Sequence, residues 1–227
     1  KLSVELMSTY FKQAVIYTSE NDVQVFEEND ERFFLRFTKT KNKAYLIINL
    51  ISKISSEVWY LNADNPENEF NLFSPRVNDV QYFVENYKDK FYIITDEDAR
   101  NFKLMETSVN STSRENWKEI LPHRKDAKID NMAVFKDHFV LYERVNGLRQ
   151  IRISDHSIDK HFYVEFPEEV YTFYPSGNPD FNTTTLRFTY TSLITPNTVY
   201  DYDMNNKSFE LKKQDAVLGG YNAEEYV

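Results

Sequence analysis

Apolar and polar residues alternate along most of this chain, in short runs. Phe33, Leu35 and Phe37 fall on one side of a pleated strand, with Arg32, Phe34 and Arg36 on the other. The run Arg149-Gln150-Ile151-Arg152-Ile153 alternates too. No stretch keeps a helical period for long. The pattern predicts four groups of four strands. The first covers residues 33–37, 44–50, 57–61 and about 70–73. The second covers 80–85, 91–95, 102–106 and 117–120. The third covers 129–135, 138–143, 148–153 and 160–164. The fourth covers 170–174, 185–190, 198–203 and 209–212. Asn146-Gly147 is the best hairpin signal, since both residues tolerate positive φ. Asn205-Asn206 is a weaker one.

The groups repeat. Lys88-Asp89-Lys90-Phe91 returns as Lys136-Asp137-His138-Phe139, 48 residues on, and a hydrophobic strand follows each copy. Tyr45, Phe91, Phe139 and Leu186 hold equivalent places, spaced 46, 48 and 47. A strand-only repeat of this length is the mark of propeller blades. The fold expected is therefore all-β: a partial β-propeller of about four four-stranded antiparallel blades, at 29–75, 76–122, 123–166 and 167–214. Residues 1–28 read as strands of a fifth blade, with 14–17 and 23–26 as its outer strands. A blade cannot bury both faces alone, so an incomplete stack is expected to self-associate through exposed blade faces. The propeller fragment spans 1–214. Residues 215–227 break the strand pattern and read as an exit linker, marked by Gly219, Gly220 and Tyr221.

Composition narrows the picture. Among 227 residues there are 18 Phe and 16 Tyr, which suit half-buried pleated surfaces. Only 4 Gly and 7 Pro are present, so Asn and Asp must form most turns. With no Cys, thiol catalysis and disulfides are excluded, and a reducing compartment is compatible. The net charge of −9 argues against a nucleic-acid partner and mildly favours cationic ones. No apolar run approaches a membrane span, so no membrane partner is expected.

Candidate chemistry is sparse. A hydrolase nucleophile elbow, G-x-S-x-G, is absent, because the glycines stand at 147, 177, 219 and 220. Ser176 sits in a Pro-Ser-Gly-Asn-Pro turn. His123, His138, His156 and His161 lack metal-ligand spacing and read as surface or packing histidines. Acids cluster at 27–31, at Asp96-Glu97-Asp98 and at Glu168-Glu169. Two acids aimed into a central channel could serve a glycosidase, but these lie in turns and read as solvated loops. Asp96 to Asp98 lacks the glycine and distal glutamate of a calcium loop. Asn110, Asn182 and Asn206 head glycosylation sequons, which matter only for a secreted chain. Trp59 and Trp117, placed on outer strands, read as packing between blades. No catalytic residue, metal or cofactor is expected in this chain.

Two C-terminal motifs carry a resemblance. Leu186-Arg187-Phe188-Thr189-Tyr190-Thr191-Ser192-Leu193-Ile194-Thr195-Pro196, with Thr198-Val199-Tyr200-Asp201-Tyr202-Asp203-Met204 after it, resembles the last propeller blade of the prolyl oligopeptidase family of serine peptidases. Leu211-Lys212-Lys213-Gln214 and residues 217–227 resemble the passage from propeller to hydrolase domain in its oligopeptidase B branch. Residues 117–124 and 143–151 fit that branch as well. The resemblance implies a seven-bladed parent propeller capping an α/β-hydrolase domain that holds the Ser, Asp and His of catalysis. It implies a cytoplasmic endopeptidase cutting short peptides after basic residues, with the propeller restricting access. The expected partners are that hydrolase domain and short peptides. Two other classes stay open: a free-standing propeller binding protein or peptide, and a small propeller glycosidase.

Overall fold

A computed structural model describes Leu2, Ser3, residues 24–217 and Gly219. Sixteen strands form four four-stranded antiparallel sheets, each a simple meander. Sheet I contains β3 (Phe34–Lys39), β4 (Tyr45–Ile51), β5 (Ser56–Asn62) and β6 (Asn71–Ser74). Sheet II contains β7 (Tyr82–Tyr87), β8 (Lys90–Thr95), β9 (Lys103–Ser108) and β10 (Lys118–Leu121). Sheet III contains β11 (Ala127–Val134), β12 (Phe139–Val145), β13 (Leu148–Ser154) and β14 (His161–Tyr163). Sheet IV contains β15 (Tyr171–Pro175), β16 (Thr185–Ser192), β17 (Thr198–Asp203) and β18 (Ser208–Gln214). Ahead of them, β1 (Leu2–Ser3) pairs with β2 (Gln24–Phe26). The strand expected at 14–17 lies outside the described residues.

The second strands of the two middle sheets, II and III, show why the blades stack. Successive side chains point to opposite faces, and both faces meet a neighbouring sheet. Phe91 and Ile93 pack toward sheet I with Ile47, Val58 and Phe73. Tyr92 and Ile94 point the other way, toward Val134, Phe139 and Leu141 of sheet III. Val140 and Tyr142 face sheet IV, meeting Leu186, Phe188 and Tyr190. Strands buried on both sides read as nearly continuous apolar runs, as parallel sheets do for the same reason. The equivalent repeat positions Phe91, Phe139 and Leu186 are at most 1% exposed. Each large side chain withdrawn from water contributes about 1.5–3 kcal/mol.

The two end faces differ from expectation. The outward face of sheet I is apolar, but Leu46, Ile48 and Leu50 are fully buried, with Val25 and Phe26 packed on them. The outward face of sheet IV is polar, because Arg187 pairs with Asp201 at 2.6 Å and Lys212 with Glu210 at 2.8 Å. Among the described residues, neither is an exposed apolar sheet.

Turns follow local chemistry. Asn146 (φ +49°) and Gly147 (φ +87°) close a two-residue hairpin between Val145 and Leu148, as expected. The Asn205-Asn206 turn is longer. Four residues separate the Asp203 and Ser208 pair, and the Asp203 carboxylate accepts both Asn backbone N–H groups. The two Lys-Asp doublets also turn differently. Tyr87 pairs with Lys90, so Lys88 must adopt φ +55°. Val134 pairs with Phe139, leaving room for a wider turn in which Phe135 N–H donates to His138 O.

Sheets I and II are also joined by polar bonds. The β5 register shifts between Val58 and Trp59, and the Tyr82 hydroxyl accepts the Val58 N–H at 3.0 Å. It donates in turn to Ser74 O at 2.6 Å. Tyr82 is fully buried, so its removal leaves both backbone groups unpaired in an apolar setting. Tyr82→Phe is expected to lower stability by about 1–3 kcal/mol in urea unfolding, with no change in secondary structure by circular dichroism.

Candidate functional site

The two ends of the stack carry its distinctive chemistry. At one end the turns between first and second strands converge. Lys41, in the β3–β4 turn, donates its backbone N–H to the Glu85 carboxylate of β7 at 3.0 Å. Its ammonium reaches Asn178 O in the β15–β16 loop at 2.6 Å. On the way it passes over the Phe135 ring after β11, 4.1 Å from the centroid. One residue therefore touches all four sheets, which requires first strands around a common axis. Nearby, Asn42 Nδ2 donates to Asn86 Oδ1 and Lys136 N–H to Phe181 O.

At the other end lie the turns between second and third strands and the links between sheets. Ser56 N–H donates to Val80 O, and Asn101 Nδ2 to Arg124 O. The chain leaves sheet IV here, with Asp215 N–H bonded to Asn197 O. Five large apolar residues are exposed at this end: Ile54, Val77, Val170, Leu193 and Val217. Gly219 has φ +98°, a backbone that suits glycine. Gly220 and Tyr221 of the expected linker lie outside the described residues.

The histidines and tryptophans singled out in the sequence take part in packing and hydrogen bonds. Among the described residues, no His, Asp and Glu cluster is arranged to hold a metal. No helix among them is long and apolar enough to cross a membrane. His156 stacks on Tyr87, with ring centroids 3.5 Å apart. Its Nε2 lies 2.9 Å from Phe135 O and its Nδ1 lies 3.3 Å from the Tyr92 hydroxyl. Burial holds its pKa below the usual histidine value. Burial lowers those of His138 and His161 as well. Trp117 stands just before β10, between sheets I and II, against Phe73 and Tyr82. Trp59 is on a third strand and packs on Phe26 over the outward face of sheet I.

Some acids depart from the solvated-loop expectation. Glu168, half-buried, accepts hydroxyls from Tyr190, Ser192 and Thr195. Glu28 joins Glu57 in gripping Arg76, whose guanidinium also lies 4.1 Å from the Phe33 ring centroid. Three acids escaped the sequence reading altogether: Glu57, Glu85 and Glu143. Glu85 and Glu143 sit within apolar strand runs and Glu57 at the head of one, and that placement was the signal available.

Glu143 is enclosed between sheets II and III. Its carboxylate lies 2.7 Å from Arg124 and 3.8 Å from Arg152, and it accepts the Tyr163 hydroxyl at 2.8 Å. Its side chain has no exposure, and that of Arg152 has 6%. Removing the acid strands two guanidinium groups, one of them deeply buried. Glu143→Ala is expected to destabilise by about 3–5 kcal/mol in chemical unfolding.

Glu85 is half-buried, and desolvation pushes its pKa up to about 7 against the donated N–H groups of Lys41 and Asn86. An acid raised on folding makes the native state bind the extra proton. Its contribution is therefore most favourable below the unfolded carboxylate range and is lost as pH rises through about 7. Glu85→Gln is expected to flatten the fall in stability between pH 5 and pH 8, read by urea midpoints; an unchanged slope would count against this assignment.

The geometry agrees with comparisons to known proteins. The sequence profile of the prolyl oligopeptidase N-terminal β-propeller domain matches residues 13–215. Dipeptidyl aminopeptidase BI of Pseudoxanthomonas mexicana is 34% identical over 226 residues, covering 98% of this chain and 31% of that protein. Protease 2 of Moraxella lacunata is 26% identical, covering 91% of this chain and 29% of its own length. Oligopeptidase B from Leishmania major superposes with a TM-score of 0.84 at 25% identity, over 92% of this chain and 31% of that one. Oligopeptidase B from Trypanosoma brucei, solved with covalently bound antipain, gives 0.85 at 24% identity, over 95% and 32%. The chain spans about a third of the length of the relatives it matches. Its four stacked sheets and their sequence thus belong to the prolyl oligopeptidase family, within that family's N-terminal β-propeller domain.

Proposed function

We propose that this chain is the non-catalytic propeller portion of an oligopeptidase-B-like serine endopeptidase of the cytoplasm, which hydrolyses short peptides after basic residues. In this reading residues 1–214 are propeller and 215–227 lead into an α/β-hydrolase domain. That domain supplies the nucleophile, acid and base. The propeller restricts which peptides reach it, through steric exclusion rather than chemistry.

The observation that carries this reading is the asymmetry of the two ends. The chain exits beside Asn197, and Ile54, Val77, Val170, Leu193 and Val217 are exposed at that same end. A domain tethered there by a short linker would cover apolar surface with little loss of loop entropy. The opposite end is tied across its axis by Lys41. The net charge of −9 favours the approach of cationic peptides.

The native gene product tests this directly. It is expected to be several times longer than 227 residues, to react with a serine-directed phosphonate, and to cleave Arg- or Lys-containing reporter peptides while sparing folded proteins. The 227-residue chain alone is expected to turn over none of them. Leu193→Glu, at a residue 91% exposed, should leave the stability of the chain within about 0.5 kcal/mol yet impair the native enzyme. A native product no longer than this chain, or cleavage by the chain alone, would refute the reading.

A further inference from the structure

The Lys-Asp doublet that marks the repeat has a structural destination outside any role described above. At the end tied by Lys41 lies an open cavity of about 360 Å³, and every sheet contributes to its lining. Sheet I supplies Asn42, sheet II Tyr87 and Lys88, sheet III Lys136 and Asp137, and sheet IV Phe181 and Asn182. We propose that this cavity binds a small carboxylate with an apolar body, the chemistry of a peptide's last residue.

Charge points to an anion. Lys88 and Lys136 have no carboxylate partner among the described residues, whereas Asp137 is the single acid in the lining. Two ammonium groups against one carboxylate leave a positive site on a chain of net charge −9. Shape points to an apolar body. The Tyr87 ring is 9% exposed, stacked on His156 and with the Lys88 ammonium 4.9 Å from its centroid, and its hydroxyl donates to Lys136 O at 3.1 Å, so it fixes the lysines at the floor of the site while Phe181 offers the apolar contact. Phe181 is held by the Lys136 N–H bond to its carbonyl. These aromatic walls are therefore preorganised. Asn42 is already engaged with Asn86, so the free amide is that of Asn182, available to a peptide group. The volume is that of a small-molecule site. None of this depends on a hydrolase domain following the chain.

Calorimetry with N-acetyl-phenylalanine and its neutral amide tests the site. The acid is expected to bind saturably, and the amide about tenfold more weakly or not at all. The double variant Lys88→Gln/Lys136→Gln removes two exposed side chains. It should weaken the acid by about tenfold or more while melting at the same temperature as the parent protein. Inorganic phosphate serves as the competing probe and is expected to displace the acid poorly. Equal binding of acid and amide, undiminished binding by the double variant, no saturation, or efficient displacement by phosphate would each overturn the proposal. Peptidase activity of the native product is untouched by any of these outcomes, so the two readings fail separately.

Discussion

Two-sided burial of the second strand governs this structure. A strand such as Lys90–Thr95 has no solvent face, since Phe91 and Ile93 belong to one interface and Tyr92 and Ile94 to the next. A sheet with this pattern is unstable by itself, because one apolar side or the other would meet water. Neighbouring sheets are thus a condition of each other's existence, not an addition to finished units. The abundance of Phe and Tyr follows from the same condition. Sheet-on-sheet interfaces favour wide, rigid side chains, and the rings meet mostly edge-to-face or tilted, as in the contact of Phe73 with Phe91.

Several polar groups that enter these interfaces bring partners with them. The Tyr82 hydroxyl takes the N–H that the β5 irregularity frees. Glu143 stands between two arginines. Glu85, with backbone donors and a lysine that reaches elsewhere, is the least well compensated, and its raised pKa records that. The buried acids thus hold connections between sheets or around the axis, where the apolar surface alone does not fix orientation.

Much of this was legible in the residues. Period-two alternation and the spacing of Tyr45, Phe91, Phe139 and Leu186 located the sheets, with strand ends displaced by a residue or two. Asn146-Gly147 named its own turn, because only a two-residue hairpin places both residues at positive φ. What escaped was tertiary. The polar outer face of sheet IV depends on which side of β16 Arg187 takes and on Asp201 being its cross-strand neighbour. The partners of Glu168 lie more than twenty residues away, in hydroxyls that also suit an exposed strand. The identical Lys-Asp doublets close different turns because the strand register before them differs, a property of the pairing and not of the doublet.

Lys41 has a mechanical consequence. Since its backbone and side chain reach three sheets besides its own, no blade can swing outward without disturbing that junction. Fluctuations at the axis should then be collective, and amide protection around the β3–β4 turn would report the integrity of the whole ring segment and not that of one hairpin.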